Sequence, residues 1–594
     1  MEIPYRRIRT DTSHLYFYGV MEIGVALGAW FCLSVMGWSP IQAAMVACLG
    51  AGIGMARFMQ GIQRRLALKI LGKSFAFTKS LQWIQDKKTA LKKPSNIYLG
   101  EGFVWGQEHV QAFMEVSTLP EKSRYFDQLP PEGGLPYIHG VGKYLDSGSD
   151  KPIVLPLPEH TSLHGTTGIG KTRLIELIVS QLIQQKEPVV IIDPKSDSKL
   201  LDAVYQACVN IGCADKFEYF SLAHPQVSAS LNPFSNYSTP GEIANRITSI
   251  MPDTGNSQPF VDFCYDVLAT VAEVLILIRE PVNLKTLYNY AVLDRPGLLT
   301  KATDYRKENR LSPEHRGQLD NAIKELYLKI SHDSTHFQKM TTSLLPVMRS
   351  LTAGNIGAIL SPLHETLSWE RIIREKLIVY ISLASLKDSY VSMNVGKLIK
   401  QDLLSYVGNL YTRQSEFQPI HVFVDELYSV FYKGYVDILN KSRAAGLHLY
   451  VGLQTTADIE ALTSEAVRKQ VFGLLGNKIF MRIPDAEQGE ELVKTLGKVM
   501  VPKATVTRNV AGSMKGHDLA HGELFRSGYA ERLDLVETDL LPVEVLTSLP
   551  KGQAILVTQG YPPIKLRIPL LDKETMPHVS FFERIEQLYG SQGT

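Results

Sequence analysis

Cysteine is scarce. The five in 594 residues (Cys32, Cys48, Cys208, Cys213 and Cys264) make no CxxC pair and no Cys/His cluster. That argues against a disulfide scaffold and a structural zinc, and places the bulk of the chain in a reducing compartment. Charge of neither sign predominates: 62 Lys and Arg against 60 Asp and Glu leave a net of +2. A chain that coats polyanions over its whole surface is excluded, so any polyanion contact depends on local placement of charge. No LSGGQ-like signature occurs, which excludes an ABC-type transporter. The roughly 100 residues after Glu490 carry no helix-turn-helix pattern of a DNA-reading module. An ordinary 45% of hydrophobic and 21% of charged residues excludes disorder and collagen-like structure. At about 100–200 residues per domain, the length allows about three to five structural units.

Charged residues are missing altogether from Ile23 to Ala56. The surrounding apolar region, from about Leu15, is broken only by Gly37-Trp38-Ser39-Pro40, a turn signal. Two helices of about 20 residues, at 1.5 Å rise, each span about 30 Å, the hydrocarbon thickness of a bilayer. The pattern predicts a transmembrane hairpin with helices at about 15–36 and 40–58. A cleaved signal peptide has a single apolar core of about half this length. A buried hairpin in a soluble core is the other reading. Glu22 inside the first helix is costly against lipid and is expected near an interface or against a partner. Gly24/Gly28 and Gly50/Gly54 have the GxxxG spacing that lets helices pack closely. Arg6, Arg7 and Arg9 precede the hairpin; Arg57, Arg64, Arg65 and Lys69 follow it. The positive-inside rule then puts both ends in the cytoplasm.

Gly165-Thr166-Thr167-Gly168-Ile169-Gly170-Lys171-Thr172 matches GxxxxGK[ST], after a strand-like run (Thr161–His164) and before a helical pattern (Thr172–Gln185). In that context glycines let successive N–H groups curl toward phosphate oxygens, at a helix N-terminus whose dipole favours anions. Lys171 is expected to neutralise the β- and γ-phosphates of ATP, and the Thr172 hydroxyl to ligate Mg²⁺. An apolar strand ending in Asp425-Glu426 supplies the expected second half of the site. Asp425 would hold the metal and Glu426 would polarise the attacking water as general base. A solvated acidic pair at a strand end is the plain alternative. Gln454 ends the strand Leu447–Leu453, where ligands sit in parallel sheets, and is placed to sense the γ-phosphate. Arg443 upstream either reaches a neighbouring subunit's nucleotide as an arginine finger or makes a surface ion pair, with Arg482 in reserve.

Between these motifs strands alternate with helices (Pro188–Ile192, Ser198–Val209, Phe217–Ser221, Leu377–Ser382, Val391–Tyr411), which predicts an α/β fold with a parallel sheet and helices on both faces. Residues 239–373 read as helical throughout (Glu242–Met251, Phe260–Ile278, Gln318–Ile330, Phe337–Leu351), an inserted all-α domain. Within it, Lys301, Arg306, Lys307 and Arg310 form a basic cluster that is either a solvated helix face or a DNA contact.

GTTGIGKT, IIDPKSD, HVFVDEL, KSRAAGLHLYVGLQTT, GNKIFMRIPDAEQGEELVKTLGK and Leu549–Val557, in this order behind the hairpin, resemble the type IV secretion coupling proteins. These are the TraD/TraG-like ATPases of bacterial conjugation, and the resemblance covers residues 1 to about 570. It implies a RecA-like P-loop motor that assembles as a hexamer at the inner membrane. Such a motor moves single-stranded DNA with its attached relaxase to the secretion channel, with relaxosome accessory proteins and channel components as partners. By motif, Lys171 and Thr172 take the phosphate and Mg²⁺ roles, Asp425 and Glu426 the Walker B pair, and Gln454 the third-motif glutamine. The hairpin loop is shorter than in many members and the C-terminal end lacks a long acidic tail.

The expected organisation is an anchor (1–70), a mixed stem (71–150), a motor (151–238 and 374–570), the insertion (239–373) and a short tail (571–594). Delivery of protein effectors, septal translocation of double-stranded DNA, and a scaffold that binds nucleotide only to fix its shape are the alternatives. Intact Glu426 and Gln454 argue against the scaffold, because a pure binder needs neither.

Overall fold

The computed structural model describes residues 13–73, 75–93, 95–118, 133–145, 150–251, 258–413, 418–431, 435–511, 526–572 and 580–590. Arg6, Arg7 and Arg9, most of the segment Arg413–Gln418 and the last four residues lie outside these. Two compact units emerge: Met1–Phe77, Gly100–Ile153 and Phe480–Pro569 in the first; Thr78–Leu99, Val154–Ile479 and Leu570–Thr594 in the second. The segment 480–569, expected within the motor, thus belongs with the stem and hairpin.

In the first unit, α1 (Ser13–Val35) and α2 (Pro40–Leu71) form the hairpin, and both are long and apolar enough to cross a membrane. Gly37 turns the chain at φ 82°, and Ser39 caps α2, whose first residue, Pro40, needs no N–H partner. The two glycine pairs divide. A Cβ on Gly54 would lie 2.7 Å from Gly19 O and one on Gly50 2.9 Å from Ala26 Cβ, whereas nothing lies within 4 Å of Gly24 or Gly28. The partner of Glu22 is internal: its carboxylate pairs with Arg57 of α2. Instead of stopping near residue 58, α2 runs unbroken to Leu71, where its backbone abuts Gly140.

The expected stem has no sheet of its own. Its strand Ile97–Val104 pairs antiparallel with Ile564–Arg567, which pairs antiparallel with Gln553–Thr558. Arg567 ties these together through Asp150 (2.7 Å) and Glu101 (2.8 Å). Lys498–Ala511 and Arg526–Asp539 form a separate antiparallel ribbon.

The second unit holds β1 (Thr161–His164), β2 (Val189–Asp193), β3 (Phe217–Ser221), β4 (Ile378–Ser382), β5 (Ile420–Val424), β6 (Leu447–Leu453) and β7 (Asn477–Phe480), in the order β7-β1-β6-β5-β2-β4-β3. All pairs from β1 through β6, β5, β2 and β4 to β3 are parallel. Five of the strands, β1, β2, β4, β5 and β6, are buried along their whole length, as a sheet covered on both faces requires. From Pro240 to Glu375 every described element is helical. These helices share one hydrophobic core with the sheet, Val190, Val422 and Val451 joining Leu268, Leu326 and Leu351. The helix expected at Phe337–Leu351 is two, Ser334–Met340 and Leu344–Thr352. Pro346 explains the break: mid-helix it lacks the N–H for Thr342 O, whereas in the first turn of a new helix it is tolerated. The C-terminal helix Phe581–Gly590 is docked, with Phe581 N donating to Asp202 and its ring set edge-on against Tyr205, Phe217 and Tyr219.

Candidate nucleotide site

The candidate site residues, apart from the reserve residue Arg482, belong to the second unit. β1 ends at His164, and Gly165 N donates to Leu453 O at the end of β6. The loop then turns through left-handed Gly168 (φ 79°) and Gly170 (φ 119°), conformations that L side chains resist. Lys171 opens α3 (Lys171–Gln184), so the first helical N–H groups face the loop. Its ammonium folds back onto the carbonyls of Gly165 and Thr166. Burial, against the attraction of Asp425 and Glu426, holds its pKa below the usual lysine range.

β5 delivers Asp425 and Glu426 beside this loop, with Asp425 N bonded to Ile192 O of β2 (3.1 Å). Burial, with Asp193 and Glu426 near, pushes the Asp425 carboxyl up to about 6 against the opposing pull of Lys171 and Lys195. Among the described residues no donor hydrogen-bonds the Asp425 carboxylate or engages the Thr172 hydroxyl. A poorly hydrated carboxylate and an unengaged hydroxyl at the head of a phosphate loop form a hard oxygen donor set that fits a phosphate-bound Mg²⁺.

Glu426 takes a left-handed backbone (φ 55°), rare for a residue with a side chain and typical of functional turns. Its Oε1 accepts from Gln454 Nε2 and forms an ion pair with Lys195 Nζ. Gln454 Oε1 accepts in turn from Thr167 of the loop (3.5 Å). Loop, Glu426 and Gln454 are therefore joined by side-chain contacts in one cluster at the carboxyl ends of parallel strands, where α/β sheets bind ligands.

Arg443 follows the helix Tyr435–Lys441 and makes two short contacts to Glu159 (2.6 and 2.8 Å) while remaining half exposed. Of its two expected roles, the structure displays the ion pair. The reserve residue, Arg482, donates to Leu549 O (2.7 Å) and Gly133 O (2.9 Å) in the first unit, so its guanidinium is committed to backbone. In the basic cluster, Lys301 pairs with Glu280, Arg306 with Asp320 and Lys307 with Asp304, the signature of a solvated, charge-balanced face.

Sequence reasoning passed over Lys195, Asp193, Tyr380, Gly452 and Glu159. IIDPKSD held a usable signal, because an Asp two to four residues before free N–H groups is an Asx-type cap. Asp193 accepts from Lys195 N (2.9 Å), Ser196 N (3.0 Å) and Asp197 N (2.6 Å). The other contacts join residues distant in sequence.

Residues 419–551 match the family described as TraM recognition site of TraD and TraG, and residues 140–401 match Helicase HerA, central domain. Among solved structures the chain is similar to the bacterial conjugative coupling protein TrwBdeltaN70, at 17% identity over 72% of this chain and 89% of that one (TM-score 0.47). TrwB in complex with a non-hydrolysable ATP analogue matches at 16% over 81% and 98% (TM-score 0.48). VirB4 of Thermoanaerobacter pseudethanolicus matches at 13% over 70% and 90% (TM-score 0.40). No curated protein matches the sequence.

Proposed function

The chain belongs to the TraD/TraG-like coupling proteins, P-loop ATPases of type IV secretion, and from that premise we propose that it pumps relaxase-bound single-stranded DNA to a secretion channel. The apolar hairpin fits inner-membrane anchoring, and its basic flanks support cytoplasmic termini. Self-association as a hexamer would bring the Arg443 of one protomer to the nucleotide of the next.

Lys171 and the loop N–H groups from Gly165 to Thr172 would bind the phosphates of ATP. Thr172 and Asp425 would hold Mg²⁺, which supplies charge neutralisation on the β- and γ-oxygens when bound. Glu426 would accept a proton from the attacking water, while Gln454 links it to the loop residue Thr167. The observation that supports the reading is the contact chain Thr167–Gln454–Glu426, which joins a carboxylate and an amide to the phosphate loop. Binding alone requires neither residue.

The test is ATP turnover by the full-length chain in detergent, with and without single-stranded DNA. Turnover is expected to rise with DNA and to fall as salt is raised, because backbone-tracking contacts release counterions. Hydrolysis indifferent to DNA at every salt concentration would remove the DNA-pumping reading. Crosslinking of translocating cargo then separates DNA from polypeptide.

A further inference from the structure

The loop after β2 is more firmly built than a connection needs. Beyond the three N–H groups that Asp193 caps, the Tyr380 hydroxyl donates to the same carboxylate (2.5 Å). Ser196 is held left-handed at φ 63°, its hydroxyl accepting from Ser382 Oγ (2.6 Å) and Ala384 N (2.9 Å). Leu383 N and Ser385 N bond the carbonyls of Asp193 and Pro194 (3.0 and 2.7 Å). Strain of this kind persists only where its surroundings over-determine it, and it gathers at functional sites.

From that frame the Lys195 side chain, 40% exposed, extends to Glu426, whose side chain is 15% exposed and whose own backbone is left-handed. Two unusual backbone conformations are thus aimed at a single contact. An ordinary surface pair, made by two long side chains from relaxed backbone, has no such preparation and contributes little.

The contact is also selective between oxygens. Gln454 donates to Oε1 of Glu426, the ion pair of Lys195 is made with that same oxygen, and among the described residues no hydrogen-bond donor meets Oε2. We infer that Lys195 is a positioning residue for hydrolysis: with Gln454 it pins Oε1 and leaves Oε2 as the oxygen that takes the proton. In the step this serves, the water O–H bond breaks and its proton passes to Oε2. The water oxygen bonds the γ-phosphorus as the bridging P–O bond breaks, its electron pair leaving with ADP. The inference rests on Glu426 being the general base.

The full-length protein tests this through DNA-stimulated turnover and binding of a non-hydrolysable ATP analogue. Lys195→Met is expected to lower kcat about 10–100-fold, the cost of a misplaced catalytic group, with analogue affinity held within about threefold. Lys195→Arg, which keeps a cation in reach of Oε1, is expected to restore most of that loss. In a Glu426→Gln background Lys195→Met should cost nothing further, because the group it positions is gone. Melting temperatures of both Lys195 variants near wild type exclude misfolding as the cause.

Lys195→Met with normal kcat overturns the inference. So does weakened analogue binding at unchanged kcat, which would make Lys195 a phosphate ligand, or an undiminished loss in the Glu426→Gln background. If wild type shows no turnover, or Glu426→Gln stays active, the proposed function or its base fails, and this inference with it. A normal Lys195→Met beside an inactive Glu426→Gln refutes the positioning role alone.

Discussion

Asp425 and Gly452 sit so close that a Cβ on Gly452 would lie 2.9 Å from Asp425 Oδ1 and 3.2 Å from Glu426 N. A methyl group there has to push the carboxylate or the strand end aside. Gly452→Ala is expected to cost about 1–3 kcal/mol of stability through overpacking. It should also lower kcat about 10–100-fold, because the displaced groups are the ones proposed to act on the phosphate end of the nucleotide. Gly473→Ala, with open space around it in the helix Glu465–Leu474, is the matched control and should leave turnover unchanged. Steady-state ATPase assays and thermal denaturation of the two variants check this.

The hairpin offers a second contrast. Gly54→Ile inserts a branched side chain where the α1 backbone is in contact, and Gly24→Ile does so where no atom lies within 4 Å. Close approach of small residues is what holds membrane helices together, so the first change should loosen the hairpin and the second should not. Cysteines placed on α1 and α2 near Gly19 and Gly54 should crosslink efficiently in the Gly24→Ile protein and poorly in the Gly54→Ile protein. Equal crosslinking in both would contradict the packing described.

Stability should fall in acid, and buried histidines set the window. Burial, with further repulsion from charged neighbours, lowers His160 to about 4 and His164 to about 3 from an ordinary 6.5. His160 Nδ1 accepts from Leu449 N (3.2 Å), which requires the neutral ring. Because the folded state refuses a proton that the unfolded chain takes, stability is full above about pH 6.5 and is lost progressively as pH falls toward 4. For His160 alone the loss at pH 5 is about 2 kcal/mol. Denaturation midpoints measured at pH 7 and pH 5 should differ accordingly, and His160→Gln should flatten the difference.

What the sequence discloses about the site follows from distance along the chain. Gly165–Thr172 carries its own strand, loop and helix, so spacing alone locates it. Asp425-Glu426 and Gln454 lie at strand ends, which apolar runs mark clearly. Tyr380 and Asp193, 187 residues apart, meet only because β2 and β4 are neighbours in the sheet, and no local pattern encodes that. The same holds for Glu159 and Arg443, separated by 284 residues. The pairing of Ile97–Val104 with Ile564–Arg567 hid for this reason too, since both strands are short and their register depends on the finished fold. The helix α2 continues past residue 58 because charge after residue 57 marks the end of an apolar run, not the end of a helix.

That helix has a mechanical consequence. At 1.5 Å per residue its 32 residues measure about 48 Å, some 18 Å more than the hydrocarbon layer, with no hinge along the way. A ten-degree change in tilt within the bilayer would carry Leu71, and the Gly140 backbone pressed against it, sideways by about 3 Å. In a spanning hairpin, lipid thickness and lateral pressure would thereby be geared to the Leu71 end as a lever is geared to its load.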